Sequence, residues 1–254
     1  MGGSCGRKSG LLCLTTLVFY VAILMPTAVG HSQAKCKLLP VGGAKATAHF
    51  SAAGLSDGPL AACGWLKGGL PYTVTHSGAA GFVVDRGKVT TDEKLAYLNF
   101  GPLPRPVRAA WVQASWSNKA TAAIDTELPF GEAAVLIVAD GPFANAFPNG
   151  YANAAVHLLF LRDRFTLQKR AAPGPGVTLL SRKFSKPLAD GKLHRLGVLW
   201  DGESITVISP EGERFPVGYD ADVVKWWGSY GCVEIVGSTS DRNKVGVHAF
   251  NFAF

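Results

Sequence analysis

Helical periodicity is the first thing that this sequence lacks. In 254 residues, no window keeps apolar residues at i, i+3, i+4 and i+7 over three turns, and residues 92–98 form the one short helical candidate. Strand-like alternation takes its place. Leu196, Val198 and Trp200 share one face of a segment that the Asp-Gly pair at 201–202 then turns back. Short strands separated by turn signals predict an all-β sandwich or barrel.

Clusters of one charge sign are also missing. The formal net charge is +7, yet no run of five or more basic residues occurs. A nucleic-acid-binding protein would carry a basic stripe or a recognised motif, so no nucleic-acid partner is predicted. The mild positive charge fits solubility and weak attraction to anionic surface polymers or lipids equally well.

The cysteines include no C-x-x-C pair, so neither a zinc site nor a redox pair is indicated. Beyond residue 30 three cysteines remain, and an odd number leaves at least one thiol without an internal partner. We expect a disulfide between Cys36 and Cys63, because they flank a Gly/Ala-rich stretch that would gain from a cross-link. The alternative is that all three are buried thiols, which we favour for Cys232 in its apolar strand.

Residues 1–30 indicate an export signal. Arg7 and Lys8 precede a 15-residue uncharged stretch, and small residues at 28–30 or 32–34 offer a cleavage site. The stretch is short for a membrane span, which needs about 20 residues. We therefore predict a secreted or cell-envelope protein. The alternative is that the signal segment stays uncleaved as an anchor, and this is the one contact with a membrane that we predict. Removal of the segment takes away two basic residues and leaves a net charge of +5.

The clearest break in the chain lies at 101–106, where three prolines exclude ladder hydrogen bonds. Before it, residues 31–106 are predicted to be an N-terminal extension whose first strands pack on the sandwich. After it, residues 107–254 are predicted to form the sandwich itself. This part includes a buried strand at 156–161 and a half-exposed strand at 165–168.

The order of features in this second part resembles the concanavalin A-like lectin/glucanase superfamily in its laminin-G-like form. The features are a polar-rimmed loop before the strand at 156–161, the segment Asp190-Gly191-Lys192-Leu193-His194-Arg195 leading into a strand that ends Trp200-Asp201-Gly202, and a final strand at 248–252. The resemblance implies a jelly-roll β-sandwich of two antiparallel sheets in an exported protein of bacterial type. Members of this superfamily bind glycans, hydrolyse them or serve as adhesive modules, so the function stays open.

Catalytic motifs are absent or incomplete. The glutamate-x-aspartate-x-x-glutamate cluster of the superfamily's retaining glucanases does not occur, and the nearest acid pairs, Asp125 with Glu127 and Asp220 with Asp222, lack a third acid. The Gly-x-Ser-x-Gly match at 54–58 has neither the preceding strand nor the following helix of a nucleophile elbow. No metal-ligand spacing, phosphate loop or dinucleotide fingerprint occurs. We predict no catalytic residue, no metal and no cofactor, with a hydrolase as the alternative.

Two segments, 140–151 and 226–230, combine the groups that bind sugars. Aromatic rings can stack on the apolar face of a sugar, and amides or carboxylates can bind its hydroxyl groups. Adjacent tryptophans in a strand would point to opposite faces, so at most one would belong to the core. The predicted ligand-binding residues are Asp140, Asn145, Asn149, Tyr151, Trp226, Trp227 and Tyr230.

The sequence therefore predicts an exported β-sandwich that recognises a glycan or cell-envelope polymer without catalysis. In the structural alternatives, the loop at 140–151 plugs the end of the sandwich and residues 35–80 cover the second tryptophan. The alternative functions are a polysaccharide-acting hydrolase and a structural or adhesive envelope protein without a small ligand.

Overall fold

The strands follow the β-branched and aromatic stretches of the sequence. The computed structural model describes residues 41–42, 45–49, 58–59, 72–76, 82–91, 95–100, 102–118, 132–141, 154–171, 176–236 and 244–254. One helix, α1 (Ala221–Trp226), lies in this part of the chain. The strands there are β1 Val41–Gly42, β2 Lys45–His49, β3 Gly58–Pro59, β4 Tyr72–His76, β5 Phe82–Asp85, β6 Lys88–Thr91, β7 Leu95–Phe100, β8 Ala109–Trp116, β9 Ala133–Ala139, β10 Ala155–Leu161, β11 Arg164–Arg170, β12 Gly176–Lys183, β13 His194–Trp200, β14 Ile205–Ile208, β15 Arg214–Val217, β16 Tyr230–Val236 and β17 Val245–Ala253.

The strands form two antiparallel sheets. The larger sheet has the order β15-β14-β13-β8-β17-β6-β5-β3, and β2 joins it by pairing with both β17 and β1. The smaller sheet has the order β12-β11-β10-β9-β16-β7-β4. This architecture confirms the predicted all-β sandwich of two antiparallel sheets. Strands on both sides of the Pro-rich break at 101–106 belong to the sheets, since β7 pairs with β16 and β2 pairs with β17.

The core lies between the sheets and depends on regular alternation. Along β8, alternate residues from Ala110 to Trp116 are buried, while the residues between them are half-buried. Trp116 meets Phe160 of the smaller sheet edge to face, with ring centroids 4.5 Å apart. Its indole Nε1 donates a hydrogen bond to the Glu132 carbonyl at 3.2 Å. Trp111 therefore points to the outer face of the larger sheet and Trp116 to the core.

Strands β9 and β10 differ from β8 because all their residues are buried. Alternate residues such as Leu136 and Leu158 belong to the core between the sheets. The residues between them form a second apolar cluster on the outer face of the smaller sheet. The members of this cluster are Ala133, Val135, Ile137, Ala139, Ala155, Leu159, Leu161 and Cys232. The continuous apolar strands predicted from composition are thus buried on both faces.

Tight turns form where the sequence supplies glycine and aspartate. Gly202 has φ +114°, a left-handed conformation that glycine adopts without steric cost. Asp201 accepts hydrogen bonds from the Ser204 hydroxyl at 2.7 Å and from the backbone amides of Glu203 and Ser204. These hydrogen bonds, that of the Ser204 hydroxyl first, lower the pKa of Asp201 to about 2. The predicted β13–β14 hairpin is therefore confirmed with its turn.

Three local predictions were wrong. Residues 95–98, part of the predicted helix, lie in β7, where pairing with β16 outweighs a weak helical preference. Trp226 ends α1 instead of lying in a strand, because Asp220 caps a helix that begins at Ala221. The segment 165–168 is buried rather than half-exposed. The outward-facing Thr166 and Gln168 are only 6% and 4% exposed.

Trp227 joins α1 to the start of β8. It is 6% exposed, and its ring stacks on Trp200 with centroids 5.1 Å apart and an interplanar angle of 23°. Its Nε1 donates to the Val107 carbonyl at 2.6 Å. The Val107 amide donates to the Gly228 carbonyl at 2.9 Å. The segment after α1 is therefore fixed to the segment before β8 through both backbone groups of Val107.

We predict that Trp227→Phe lowers the free energy of unfolding by about 1 kcal/mol, because a buried carbonyl loses its indole donor while an aromatic ring remains. Urea denaturation followed by circular dichroism measures the change. Trp226→Phe is the matched control, since Trp226 is only half-buried, and we expect a smaller change there. Equal stability of Trp227→Phe and the parent protein would contradict this role.

Candidate functional site

The outer face of the smaller sheet is closed to solvent where β9, β10 and β16 form it. Polar side chains lie within this closed layer: His157 is 2% exposed and Glu234 is 1% exposed. Desolvation by burial, followed by the positive charge of Arg170, holds the pKa of His157 well below its usual value. Burial thus disfavours the charged form of His157 within this layer. This part of the sheet does not present an open surface to a polymer.

The first residue of the predicted loop segment, Asp140, lies beside the second predicted segment at one end of the sandwich. Asp140 is exposed and directly follows β9, and Tyr230 begins β16 opposite Ala139. Gly228 lies against Asp140 so closely that a Cβ there would be 2.5 Å from the Asp140 Cα and 2.8 Å from its Oδ1. No side chain other than hydrogen fits at 228 without a shift. The structure thus brings the Asp140 carboxylate beside the 226–230 segment.

The aromatic residues of that segment differ in exposure. Trp226 and Tyr230 are half-buried, whereas Trp227 is buried in the core. The prediction that at most one tryptophan belongs to the core is confirmed, although the cause is the end of a helix rather than strand alternation. Trp227 is therefore a structural residue, whereas Trp226 and Tyr230 keep part of their surface exposed and Tyr230 packs against the outer apolar cluster.

Several predicted residues lie outside the described residues. These are Asn145, Asn149 and Tyr151 of the loop, the cysteines Cys36 and Cys63, and the acid pair Asp125 and Glu127. Cys232 is buried, as we expected.

The acid pair Asp220 and Asp222 lies at the N-terminus of α1, where Asp220 is the N-cap and Asp222 belongs to the first turn. The Asp220 Oδ1 accepts hydrogen bonds from the amides of Asp222 and Val223, both at 3.0 Å. The Lys169 ammonium lies 2.8 Å from a carboxylate oxygen of each aspartate. The hydrogen bond from Lys169 is the main reason why the pKa of Asp220 is lowered. Asp220 therefore caps the helix, and Asp222 in the first turn shares Lys169 with it.

The outer face of the larger sheet contains a groove that the sequence did not predict. Its volume is about 420 Å³, and it lies across β8, β13 and β14. Gly197 pairs with Trp111 on one side and with Ile208 on the other, so it leaves a gap between two large side chains. The lining residues are Ala109, Ala110, Trp111, Arg195, Gly197, Val198, Leu199, Ile208, Ser209, Pro210 and Gly212. The outward position of Trp111 in an alternating strand was the available sequence signal.

Two kinds of feature are absent from the described residues. No group of three or more His, Cys, Asp or Glu side chains in this part of the chain is placed to hold a metal ion. No helix there is long and apolar enough to cross a membrane.

Comparisons with known proteins show similarity of structure only. No protein-family model and no curated protein matches this sequence. Similar solved structures include a GH16 protein of Bacteroides ovatus in complex with a product, with 12% identity, coverage of 71% of this chain and 94% of that chain, and a TM-score of 0.46. The carbohydrate-binding module CBM66 of Bacillus subtilis has 8% identity, coverages of 70% and 91%, and a TM-score of 0.45.

A β-glucanase of Bacillus licheniformis is similar to the same degree, with 7% identity, coverage of 72% of this chain and 92% of that chain, and a TM-score of 0.47. The similar chains thus include carbohydrate-hydrolysing and carbohydrate-binding proteins. Such low identities and TM-scores assign neither a ligand nor an activity to this chain.

We predict that Asp220→Ala lowers the free energy of unfolding at pH 7 by about 1 kcal/mol, since the N-cap of α1 is lost. Asp220→Asn retains a capping oxygen and removes the charge, so it separates the cap from the ion pair. Because the pKa of Asp220 is lowered in the folded state, its charge stabilises the fold above the unfolded pKa. That contribution disappears as the pH falls through the folded pKa. Urea denaturation at several pH values between 2 and 7 measures this dependence.

The difference in the free energy of unfolding between Asp220→Asn and the parent protein should therefore become smaller as the pH falls towards 2. Asp222→Ala is the matched control, because it removes a more exposed acid from Lys169 and leaves the Asp220 cap in place. A pH-independent difference for Asp220→Asn would show that the carboxylate charge does not stabilise this end of the sandwich.

Proposed function

We propose that this protein is a non-catalytic carbohydrate-binding β-sandwich, and that the end of the sandwich beside α1 binds the sugar. The observation that supports this site most directly is the close approach of Gly228 to Asp140. Asp140 offers a carboxylate, which can accept hydrogen bonds from sugar hydroxyls, and the segment that contains Gly228 also carries the half-buried aromatic residues Trp226 and Tyr230.

The chemistry of sugar recognition requires both kinds of group. An aromatic ring covers the apolar C–H face of a pyranose, and a carboxylate or amide accepts from its hydroxyl groups. The loop residues Asn145, Asn149 and Tyr151 are the further ligand residues of this proposal, on the basis of sequence alone. The acid pair Asp220 and Asp222 is not part of this proposal, because Asp220 caps α1 and Asp222 pairs with Lys169.

Export is the second part of the proposal. The uncharged stretch that follows Arg7 and Lys8 supports it. A protein released to the cell surface or the medium would meet glycans and envelope polymers directly. The proposed ligand is therefore a glycan or a polymer of the cell envelope.

We predict that Asp140→Ala combined with Trp226→Ala weakens glycan binding by roughly tenfold or more, the loss expected when a charged hydrogen-bonding group and a stacking ring are removed. A glycan array with the parent protein identifies the ligand, and calorimetry then measures the affinity of each variant. Tyr219→Ala is the matched control, because Tyr219 is an aromatic residue near the same helix and is 69% exposed.

The proposal predicts parental affinity for Tyr219→Ala and a clear loss for the double variant. An unchanged affinity of the double variant would exclude this end of the sandwich as the site. Failure of the parent protein to bind any glycan on the array would overturn the carbohydrate-binding function.

A further inference from the structure

The groove on the outer face of the larger sheet has an ordered composition. One row of paired residues crosses the sheet there, from Asn251 on β17 through Trp111, Gly197 and Ile208 to Arg214 on β15. The row thus passes from an amide through an indole, a gap and an aliphatic side chain to a guanidinium. The gap is maintained by close backbone packing, since a Cβ at 197 would lie 3.2 Å from the Ala110 carbonyl oxygen and 3.4 Å from the Trp111 Cβ.

Arg195 provides the charge in this groove. Its guanidinium lies over the Trp111 ring, 4.2 Å from the ring centroid, on the exposed face of β13. Among the described residues, no carboxylate forms an ion pair with Arg195. The exposed acids of the next turn, Glu211 and Glu213, do not line the groove. Stacking on Trp111 orients the planar guanidinium before any ligand arrives, and its N–H groups remain for a partner.

The surroundings of Arg195 limit what such a partner can be. Leu199, Ile208 and Pro210 give the groove an apolar wall, and a volume of about 420 Å³ lies within the roughly 300–1,000 Å³ range of small-ligand pockets. A guanidinium fork matches a carboxylate with two parallel hydrogen bonds. The ligand that fits both features has a carboxylate attached to a ring with an apolar face, as in a uronic acid.

We propose that this groove is a second binding site, separate from the sandwich end, and that it binds a uronic acid residue of an acidic polysaccharide. The uronate carboxylate pairs with the Arg195 guanidinium, and the apolar face of the sugar ring lies against Ile208 and Leu199. The Trp111 ring packs against the Arg195 guanidinium and fixes its orientation. The site differs from general attraction of polyanions to a basic protein, because it depends on one oriented arginine.

Calorimetric titration of the full chain tests this site. The probes are a galacturonic acid tetramer and a hyaluronan tetrasaccharide, each compared with its carboxyl methyl ester, at about 0.15 M salt, where long-range charge attraction is screened. We expect binding of at least one acidic probe. We also expect affinity for its methyl ester to be roughly tenfold to a hundredfold lower, because charge-assisted hydrogen bonds are lost.

Arg195→Ala should weaken binding of the acidic probe by the same roughly tenfold to hundredfold. Arg195→Lys should weaken it less, since the charge remains and the planar fork is lost. Arg182→Ala is the matched control, because Arg182 is also exposed and lies over an aromatic ring, 5.9 Å from the Phe215 centroid. We expect that variant to bind like the parent protein. Circular dichroism and thermal melts verify that each variant is folded.

Four results with the acidic probes and the arginine variants would overturn the proposal. They are no binding of either acidic probe, equal binding of acid and ester, parental affinity in Arg195→Ala, and equal losses in Arg195→Ala and Arg182→Ala. The Asp140→Ala and Trp226→Ala double variant separates this site from the sandwich end. Uronate binding that survives in that variant supports two sites, and uronate binding that disappears there overturns a separate groove site. An unchanged affinity of that double variant for a neutral glycan would exclude the sandwich end and leave the Arg195 prediction unchanged.

Discussion

The burial of both faces of β9 and β10 is the constraint on which the rest of the structure depends. The inner face packs against the larger sheet, and the outer face forms a second apolar cluster in which His157 and Glu234 are also buried. Strands buried on both sides need continuous apolar sequence, which β9 and β10 have. The outer face of the larger sheet differs, because β8 alternates between buried and half-buried residues. The outward-facing residues of β8 are therefore more open to a ligand than those of β9 and β10.

The end of the sandwich shows how structural and functional roles can share one short segment. Trp227 is fixed in the core because its ring stacks on Trp200 and its indole donates a hydrogen bond to the Val107 carbonyl. That bond, together with the close fit of Gly228 on Asp140, sets the positions of the neighbouring Trp226 and Tyr230. A binding site made from these neighbours would need little reorganisation, and preorganisation reduces the entropy that binding costs.

Much of the fold could be predicted from the sequence because its signals are local. Alternation placed β13 and β14, and the Asp-Gly pair at 201–202 placed their turn. The helix α1 could not be predicted from periodicity, since six residues are too few and the cap at Asp220 gains from Lys169, 51 residues away. The groove could not be predicted from the sequence either. It is formed by Trp111 and Arg195, which are distant in sequence and come together only when β8 pairs with β13. Strand pairing between distant segments is the information that a single sequence does not display.

The closed outer face of the smaller sheet is tested most directly by the reactivity of Cys232, a buried thiol in that face that is 1% exposed. The native protein is treated with iodoacetamide for increasing times, digested, and examined by mass spectrometry for modification of the peptide that contains Cys232. Because alkylation requires access to the thiolate, we predict that this peptide stays unmodified in the native protein and reacts fully in denaturant. Modification of Cys232 at the same rate under both conditions would show that the face is open, and would contradict the assignment of ligand recognition to the rest of the molecule.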